Sequence, residues 1–417
     1  MSNITAKQQQ HIDNVKSKIG TVEFIFLMSL LMASNALAID IMLPAFSSIS
    51  NYFSLQNANH IQYIIFSYLL GYAFFQLLFG SLSDRYGRKN LIILGMIIYV
   101  FTALACALVF NFWVLLVLRF IQGIGAATTK VLTVAIVRDI YSGKEMARIM
   151  SFAAIVFMIV PILAPAFGFT LLSISNQAWQ TIFLFMAFGG LLLIIWTYIR
   201  LPETLFEKRA LTFNNTRDAF KIVFSNRICV NYTLAISFIM GGLFGSLLSC
   251  EQIFNRIYHL ESLFPIAFAS IAIFLALASF NNTQLLKKFN IKNIANFQLL
   301  SMMCFSASWL TTALIMDEIP FIIFMFFYVG VMYSFGGLAA NLNSIALEPL
   351  GKVAGTASSI TNFSQTIIGA LLGIIIGQSF NNTTIPLASG FLICNSFALL
   401  SILIVEKGKL FSKRISD

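Results

Sequence analysis

Twelve apolar stretches follow one another along the chain, and each is long enough to cross a lipid bilayer as a helix. The hydrocarbon core of a bilayer is about 30 Å thick, so a helix needs about 20 apolar residues to cross it. Because backbone polar groups find no water there, such stretches predict helices rather than loops or open sheets. The stretches cover approximately residues 21–43, 60–82, 91–110, 112–137, 148–172, 178–200, 230–254, 264–286, 293–315, 320–343, 354–379 and 384–405.

The composition excludes most other protein classes. Of the 417 residues, 59% are hydrophobic and only 10% are charged, whereas soluble domains have about 25% charged residues. This excludes a soluble enzyme, a disordered chain and a fibrous chain, and the continuous apolar stretches do not fit the alternating strands of a membrane barrel. The five cysteines and three histidines are scattered, so the sequence predicts no metal site.

The basic residues predict the orientation in the membrane. With the N-terminus inside, 23 of the 26 lysines and arginines fall in cytoplasmic segments. Cytoplasmic loops of membrane proteins are rich in Lys and Arg, so this bias places both termini in the cytoplasm. It also explains the net charge of +10 without a nucleic-acid partner. Two basic residues, Arg119 and Lys130, lie inside the fourth stretch.

The chain is predicted to divide into two halves, residues 1–200 and 230–417, joined by a cytoplasmic linker at 201–229. The segment LSDRYGRKN at 82–90 is echoed by LLKKFNIKN at 285–293, where Asn290 replaces Gly87 as a residue that tolerates positive φ. A match at about half the chain length is typical of transporter repeats. The predicted fold is an all-α integral membrane protein with 12 transmembrane helices in two pseudo-symmetric six-helix bundles.

The most distinctive motif is GSLSDRYGRKN at 80–90, between the second and third stretches. Gly87 permits a sharp reversal, and Asp84 can pair with nearby cations or cap a helix. Arg85, Arg88 and Lys89 would hold the loop at the lipid headgroups. An ordinary basic loop remains the alternative interpretation.

This segment resembles the loop 2–3 signature of the major facilitator superfamily. Further segments resemble motifs of its twelve-helix drug:proton antiporters, in the bicyclomycin and chloramphenicol resistance (Bcr/CflA) branch: IDIMLPAF at 39–46, LRFIQGIGAA at 118–127, VPILAPAFG at 160–168 and AGTASSI at 354–360. The resemblance implies a monomeric transporter of the bacterial inner membrane, driven by the proton gradient without a cofactor. The residues implied in its conformational cycle are Gly80, Asp84, Arg85, Gly87, Arg88, Pro161, Pro165 and Gly168.

Asp40 is the first candidate for proton coupling. A carboxylate inside a membrane span costs about 2.5–3.5 kcal/mol on insertion scales, which indicates a use for it. Pro44 lies four residues later and has no N–H for the Asp40 carbonyl, so the helix is expected to loosen there. The resemblance implies that Asp40 lines the substrate cavity. The alternative is a solvated acid at the outer end of the helix.

Arg119 and Lys130 are 11 residues apart, which is about three helical turns, so they share one face with Gln122 nearby. That face is expected to line a cavity, and the resemblance implies that Arg119 takes part in proton handling. Alternatively, Lys130 extends toward the cytoplasmic end, near Arg138 and Asp139. If Lys130 faces the cavity, two cations and one acid favour an anionic substrate.

Other polar residues within the stretches are candidates for hydrogen bonds to substrate, although single polar residues also hold membrane helices together. They are Asn35, Tyr63, Asn231, Asn341 and Gln365. Glu251, near the end of the seventh stretch, is expected to be an exposed charge beside Arg256. Pro161 and Pro165 are expected to break the ladder of the fifth helix, and Gly369, Gly373 and Gly377 predict a packing stripe.

The sequence contains no nucleotide-binding loop and no grouping typical of a catalytic site, so it predicts a transporter rather than an enzyme. The leading hypothesis is a proton-coupled exporter of drugs or other small molecules. The alternative is a proton-coupled carrier of an anionic metabolite, such as a siderophore or carboxylate, in either direction. A sensor with the facilitator fold is a third hypothesis. The predicted partners are a small-molecule substrate, protons and the lipid bilayer.

Overall fold

The computed structural model describes residues 6–207 and 220–411. Its helices, numbered in chain order, are α1 (Ala6–Lys18), α2 (Thr21–Asp40), α3 (Phe46–Tyr52), α4 (Tyr63–Tyr86), α5 (Arg88–Ala107), α6 (Phe112–Ile140), α7 (Gly143–Ile174), α8 (Gln180–Arg200), α9 (Arg227–Gln252), α10 (Phe264–Leu285), α11 (Ile291–Ile315), α12 (Phe321–Leu347), α13 (Ala354–Gln378) and α14 (Ile385–Val405). Within the described residues, twelve helical segments are long and apolar enough to cross a membrane. The twelve predicted stretches are therefore confirmed as helices.

The chain forms two compact units. The first comprises Met1–Leu55 and Ser67–Phe213, and the second comprises Gln56–Phe66 and Asn214–Asp417. The division passes through α4, whose first four residues belong to the second unit. Of the predicted linker at 201–229, residues 208–219 lie outside the described part of the chain.

The segment before α4 joins the second unit through side-chain amides. Gln62 donates to the Oε1 atom of Gln252 at 2.7 Å and to the carbonyl oxygen of Gly377 at 3.0 Å. Gln252 in turn donates to the carbonyl oxygen of Ala58 at 2.9 Å. Asn59 reaches the carbonyl oxygen of Phe380 at 2.9 Å. These bonds explain why a piece of the N-terminal sequence belongs to the C-terminal unit, which the sequence did not predict.

The first membrane span is interrupted in its second half. Helix α2 ends at Asp40, a 3-10 turn follows at Leu43–Ala45, and α3 begins at Phe46. Pro44 lies inside that turn, and its missing N–H accounts for the interruption. The predicted loosening beside Asp40 is confirmed. In contrast, α7 continues from Gly143 to Ile174 through both of its prolines, so they do not end the fifth span.

Small residues allow the helices to approach one another closely. In the second unit, a Cβ atom at Gly369 or Gly373 would come within 2.8 Å of side chains on α9. Real Cβ atoms do not pack so tightly, and helix pairs in membranes use small residues for such contacts. The predicted glycine stripe is a packing face toward α9. In the first unit, a Cβ atom at Gly71 or Gly123 would overlap backbone atoms of α6 or α4 respectively.

Candidate functional site

The first unit contains a buried polar core built from α2, α4 and α6. It includes four residues that the sequence had singled out and one that it had not. The four are Asn35 and Asp40 on α2, with Arg119 and Gln122 on α6. The additional residue is Tyr68, on α4.

Arg119 is fully enclosed within the first unit, with no exposed side-chain surface. Its Nη1 atom donates to the Oε1 atom of Gln122 at 2.6 Å, and its Nη2 atom donates to the carbonyl oxygen of Ala38 at 3.0 Å. The guanidinium carbon lies 4.5 Å from the centre of the Tyr68 ring, within the range of a cation–π contact. Neutral oxygens and an aromatic face thus help to stabilise a cation among apolar helices.

Asp40 is 5% exposed and is the last residue of α2. The carbonyl group that binds Arg119 belongs to Ala38, in the same turn of the helix as Asp40. The 3-10 turn after Asp40 also packs against α7. A Cβ atom at Gly168 would overlap the carbonyl oxygen of Ile41, so only glycine permits this approach. The motif that contains Gly168 therefore packs directly against the helix break beside Asp40.

Tyr68 links α4 to the same core. Its hydroxyl group donates to the Oδ1 atom of Asn35 at 2.8 Å, while its ring faces Arg119. The close approach of α4 and α6 at Gly71 and Gly123 brings the ring within reach. The sequence offered no specific signal for Tyr68, since tyrosines are frequent in such spans. The three-residue spacing from Tyr68 to Gly71 becomes meaningful only once the helix pairing is known.

Lys130 also lies on α6, but it is only half-buried, in contrast to Arg119. Both residues belong to one uninterrupted helix, as predicted. Because α6 is continuous and the two residues are 11 positions apart, Arg119 and Lys130 lie on the same face of the helix. Whether Lys130 meets substrate remains a prediction.

The remaining polar candidates lie in the second unit. Asn341 is 2% exposed and forms a buried amide cluster with two residues from neighbouring helices. It exchanges bonds of 2.8 and 3.0 Å with Asn282 on α10 and donates to the Oε1 atom of Gln298 on α11 at 3.1 Å. Gln298 donates to Asn282 at 3.2 Å. This amide cluster joins α10, α11 and α12 in the manner of polar residues that hold membrane helices together.

The other three candidates also contact protein partners, on a neighbouring helix for Gln365 and within one turn for Asn231 and Tyr63. Gln365 is buried and donates to the Oδ1 atom of Asn343 at 3.3 Å. Asn231 is half-buried and donates to the carbonyl oxygen of Arg227, one turn earlier in α9. Tyr63 is also half-buried, and the centre of its ring lies 5.6 Å from that of His60 in a tilted arrangement.

The loop between α4 and α5 is held by charged groups. Arg88 is buried, and its guanidinium pairs with Asp84 at 2.6 Å and with Asp139, near the end of α6, at 3.1 Å. The predicted pairing of Asp84 with a cation is confirmed. Asp139 was not predicted to take part, because 51 residues separate it from Arg88. Arg85 is exposed, and the carbonyl oxygen of Gly80 accepts a bond from Ser83.

The start of α5 is capped by a residue from beyond α8. Gly87 has a φ of 98°, so it uses the left-handed conformation that the sequence predicted. It has no side chain to cap the helix. Glu203 supplies the cap, with Oε1 accepting from the backbone N–H of Arg88 at 2.9 Å and Oε2 from that of Lys89 at 3.3 Å. A Cβ atom at Gly87 would overlap the Glu203 carboxylate.

The next residue, Thr204, joins the same network. Thr204 is buried and donates to the Oδ2 atom of Asp139 at 3.4 Å. The segment after α8 thus contacts both the loop and the end of α6. This loop network consists of Asp84, Gly87, Arg88, Asp139, Glu203 and Thr204.

Comparison with known proteins agrees with these features. The family model described as Major Facilitator Superfamily matches residues 28–405. The chain is 27% identical to a bicyclomycin resistance protein homolog of Haemophilus influenzae, covering 88% of this chain and 92% of that protein. It is 29% identical to the multidrug resistance protein MdtL of Shewanella oneidensis, over 80% of this chain and 84% of that protein.

Solved structures of transporters share the fold. A bacterial homolog of the human lysosomal transporter Spinster, in an inward-facing and occupied conformation, aligns with a TM-score of 0.71 at 16% identity, covering 93% of this chain and 98% of that chain. A D-xylose-proton symporter aligns with a TM-score of 0.70 at 14% identity, covering 94% and 99%. These relatives and structural neighbours are transporters, not enzymes. The twelve apolar helices, the loop network and the family match together show that this multi-pass membrane protein belongs to the Major Facilitator Superfamily.

Proposed function

We propose that the protein is a proton-coupled exporter of drugs and similar small molecules. The observation that carries the proposal is the buried carboxylate of Asp40 at the break in the first membrane span. A buried acid inside a membrane span is costly unless its ionisation is used. Relatives named for bicyclomycin resistance and multidrug resistance support drugs as the substrate class.

The charges of the first unit support a competition between proton and drug. With Asp40 ionised, its charge balances that of Arg119, and with Asp40 protonated the core carries one net positive charge. A cationic drug would therefore bind more readily to the deprotonated form, whereas protonation would favour its release. The helix break after Asp40, where Ile41 packs against Gly168, offers a place where this change of charge can alter the shape of the span.

The remaining features of the proposal follow from the sequence and the resemblance. We infer two pseudo-symmetric six-helix bundles with both termini in the cytoplasm, since 23 of 26 basic residues would then lie inside. The protein would act as a monomer in the bacterial inner membrane by alternating access, and the proton gradient would replace any cofactor. The loop network would adjust its ion pairs as the helix ends move.

The test is expression in a drug-hypersensitive bacterium, with resistance to bicyclomycin and chloramphenicol as the readout. Wild-type protein should raise resistance, and Asp40→Asn should reduce it to the level of the empty vector, because asparagine keeps the shape but does not titrate. Asp317→Asn is the matched control, since Asp317 is exposed in the connection between α11 and α12.

Everted membrane vesicles then test the coupling directly. Adding either drug to energised wild-type vesicles should release protons, and Asp40→Asn should abolish that flux at equal protein level. Proton flux at the wild-type rate in Asp40→Asn would rule out Asp40 as the coupling acid. The anionic-metabolite alternative would gain support if only organic anions drove the flux.

A further inference from the structure

A second buried carboxylate lies in the seventh membrane span. Among the residues that the structure describes, Asp40 and Glu251 are the acids whose side chains are buried, and Glu251 is 3% exposed. The expectation of an exposed Glu251 beside Arg256 is therefore wrong, since only Arg256 is exposed. Packing of the α9 end within the second unit buries Glu251 although it lies close to the end of the helix.

Glu251 resembles Asp40 in its position beside a change of helix geometry. Helix α9 ends at Gln252, and a π turn follows at Ile253–Ile257. π-helical turns are rare and are frequently found at functional sites. The first and seventh spans thus each combine one buried acid with one irregular turn, a 3-10 turn in the first and a π turn in the seventh.

The surroundings of Glu251 are mainly apolar. Cys250, Ile253 and Phe254 have no exposed surface. Asn255, in the π turn, donates from its Nδ2 atom to the Oε1 atom of Glu251 at 2.9 Å. Glu251 therefore lies among apolar side chains with a neutral amide donor beside it.

The elements that pack against α9 bring little charge to this site. Helices α12, α13 and α14 contain no Asp, Glu, Lys, Arg or His along their whole length. The ionisable groups on the surrounding elements are Tyr328 and Tyr333 on α12, Cys394 on α14, Arg256 in the π turn, Tyr258 directly after it, His60 in the turn that binds Gln252, and Glu348 and Lys352 beyond the far end of α12.

The hydrogen bond between Asn255 and Glu251 does not require an acid. The adjacent Gln252 shows what an amide achieves here, because it accepts from Gln62 at 2.7 Å and donates to Ala58 at 2.9 Å. A glutamine in place of Glu251 could accept the bond from Asn255 equally well. Compared with an amide, the carboxyl group adds the ability to gain and lose a proton, at the cost of burying a charge.

We propose that Glu251 is a second proton-binding residue of the transport cycle, so that each unit contributes one titrating carboxylate. The inference rests on the proposed proton coupling, and it adds that two protons move per substrate. Asp40 and Glu251 then titrate in different units, which lets each unit respond separately to proton binding.

Infrared difference spectroscopy of purified protein tests the titration of Glu251 without any substrate. The acid-minus-alkaline spectrum of Asp40→Asn should retain the carbonyl band of a buried protonated carboxyl group. That band should disappear in the double variant Asp40→Asn/Glu251→Gln, and it should persist when Glu261→Gln, an exposed control, replaces the second change. Identical spectra for Asp40→Asn and the double variant with Glu251→Gln would overturn the proposal.

Accumulation in proteoliposomes tests the number of protons. With a pH gradient of about one unit, no membrane potential and radiolabelled chloramphenicol as the neutral probe, two protons support an accumulation of about 100-fold, and one proton supports about tenfold. Glu251→Gln should lower the limit from the first value to the second, and Glu261→Gln should leave it unchanged.

The two experiments separate the proposals. A wild-type limit of about tenfold, matched by Glu251→Gln, would overturn the role of Glu251 while leaving proton coupling intact. If wild-type protein failed to accumulate chloramphenicol or bicyclomycin, the drug-export function would fail. The infrared result would still decide whether Glu251 titrates.

Discussion

The loop between α4 and α5 and its counterpart between α10 and α11 share a sequence pattern but stabilise the following helix in different ways. In the first loop, Gly87 has a φ of 98°, and the cap of α5 comes from Glu203. In the second, Asn290 has a φ of −68° and caps α11 with its own side chain, which accepts from the N–H of Lys292. The expectation that Asn290 replaces Gly87 at positive φ is therefore wrong.

The difference shows that one repeat uses a distant carboxylate where the other uses a local amide. Asn290 acts within two residues of itself, whereas Glu203 is 115 residues from Arg88. The first loop therefore depends on the segment after α8 and on the charges around Arg88. A substitution in the first loop can therefore affect the ends of several helices, whereas a substitution at Asn290 should affect only the start of α11.

Each loop nevertheless has a lysine at the start of the following helix, and the two lysines make equivalent contacts. Lys89 donates to the carbonyl oxygen of Tyr198 near the end of α8 at 2.7 Å, and Lys292 pairs with Glu406, just after α14, at 2.6 Å. In each unit a lysine at the start of one span binds the end of the unit's last span. The repeat seen in the sequence therefore corresponds to a shared contact, even where the caps differ.

The largest effect is expected from replacing the glycine of the first loop. Gly87→Val introduces a β-branched residue at positive φ, which costs about 1–3 kcal/mol, and its Cβ atom would displace the Glu203 cap. Drug resistance should fall to the vector level, with reduced thermal stability of the purified protein.

Asn290→Val is the matched change in the second loop. It fits the extended backbone there and removes only one cap, so resistance should persist. Equal losses for the two variants would contradict the idea that the first loop is special.

A smaller effect is expected in the buried core of the second unit. Asn341→Leu leaves hydrogen-bonding atoms of Asn282 and Gln298 without a partner, which costs about 1–3 kcal/mol for each buried group affected. The melting temperature of the purified protein should fall, while proton flux per folded molecule stays near the wild-type rate.

The control for the amide cluster is Asn343→Leu, since Asn343 lies on the same helix but accepts from Gln365 rather than from the cluster. A changed drug spectrum with unchanged stability in Asn341→Leu would instead favour the sequence-based hypothesis that Asn341 contacts substrate.

The cap on α5 provides the next test of the loop comparison. Glu203→Ala removes the acceptor for two backbone N–H groups and should cost about 0.5–2 kcal/mol. Asn290→Ala should cost a similar amount, about 1 kcal/mol, at the start of α11. Thermal unfolding measures both losses.

Transport should separate these two variants. Glu203→Ala is expected to lower the transport rate, because it frees the segment after α8 from the loop, and Glu203→Gln should recover part of it by restoring one acceptor oxygen. Asn290→Ala should transport normally. If Glu203→Ala transported at the wild-type rate while losing stability, the cap would be structural only.

Much of the fold followed from local sequence patterns, and the misses share a physical cause. Continuous apolar stretches predicted the twelve helices, and Pro44 predicted the break beside Asp40. Tyr68, Asp139 and Glu203 were not predicted, because each acts on a partner that is distant along the chain and has no local signature.

Glu251 is another residue whose burial could not be predicted from its neighbours in the sequence. Its place near a helix end, five residues before Arg256, indicates exposure, but neighbouring helices bury it. The sequence also identified Asn341 and Gln365 as polar residues within spans, yet only the helix pairing reveals their amide partners. Contacts between distant segments therefore decide which polar residues form hydrogen bonds to neighbouring helices.

The smallest effect is expected at Lys130, and it sharpens the contrast within α6 between a buried and a half-buried cation. Arg119 is enclosed by protein oxygens and aromatic rings, but Lys130 keeps part of its surface exposed. For an exporter of neutral or cationic drugs, Lys130→Met should leave resistance to chloramphenicol and ethidium unchanged or slightly higher, because it removes a repulsive charge. Lys130→Arg, which keeps the charge, is the control. An anionic substrate bound beside Lys130 at about 4 Å would gain up to about 4 kcal/mol at an effective dielectric constant of about 20, before desolvation is subtracted. Its affinity should then drop about tenfold or more in Lys130→Met. Uptake of a fluorescent organic anion into everted vesicles measures this directly, and a loss confined to Lys130→Met would favour the anionic-metabolite hypothesis over drug export.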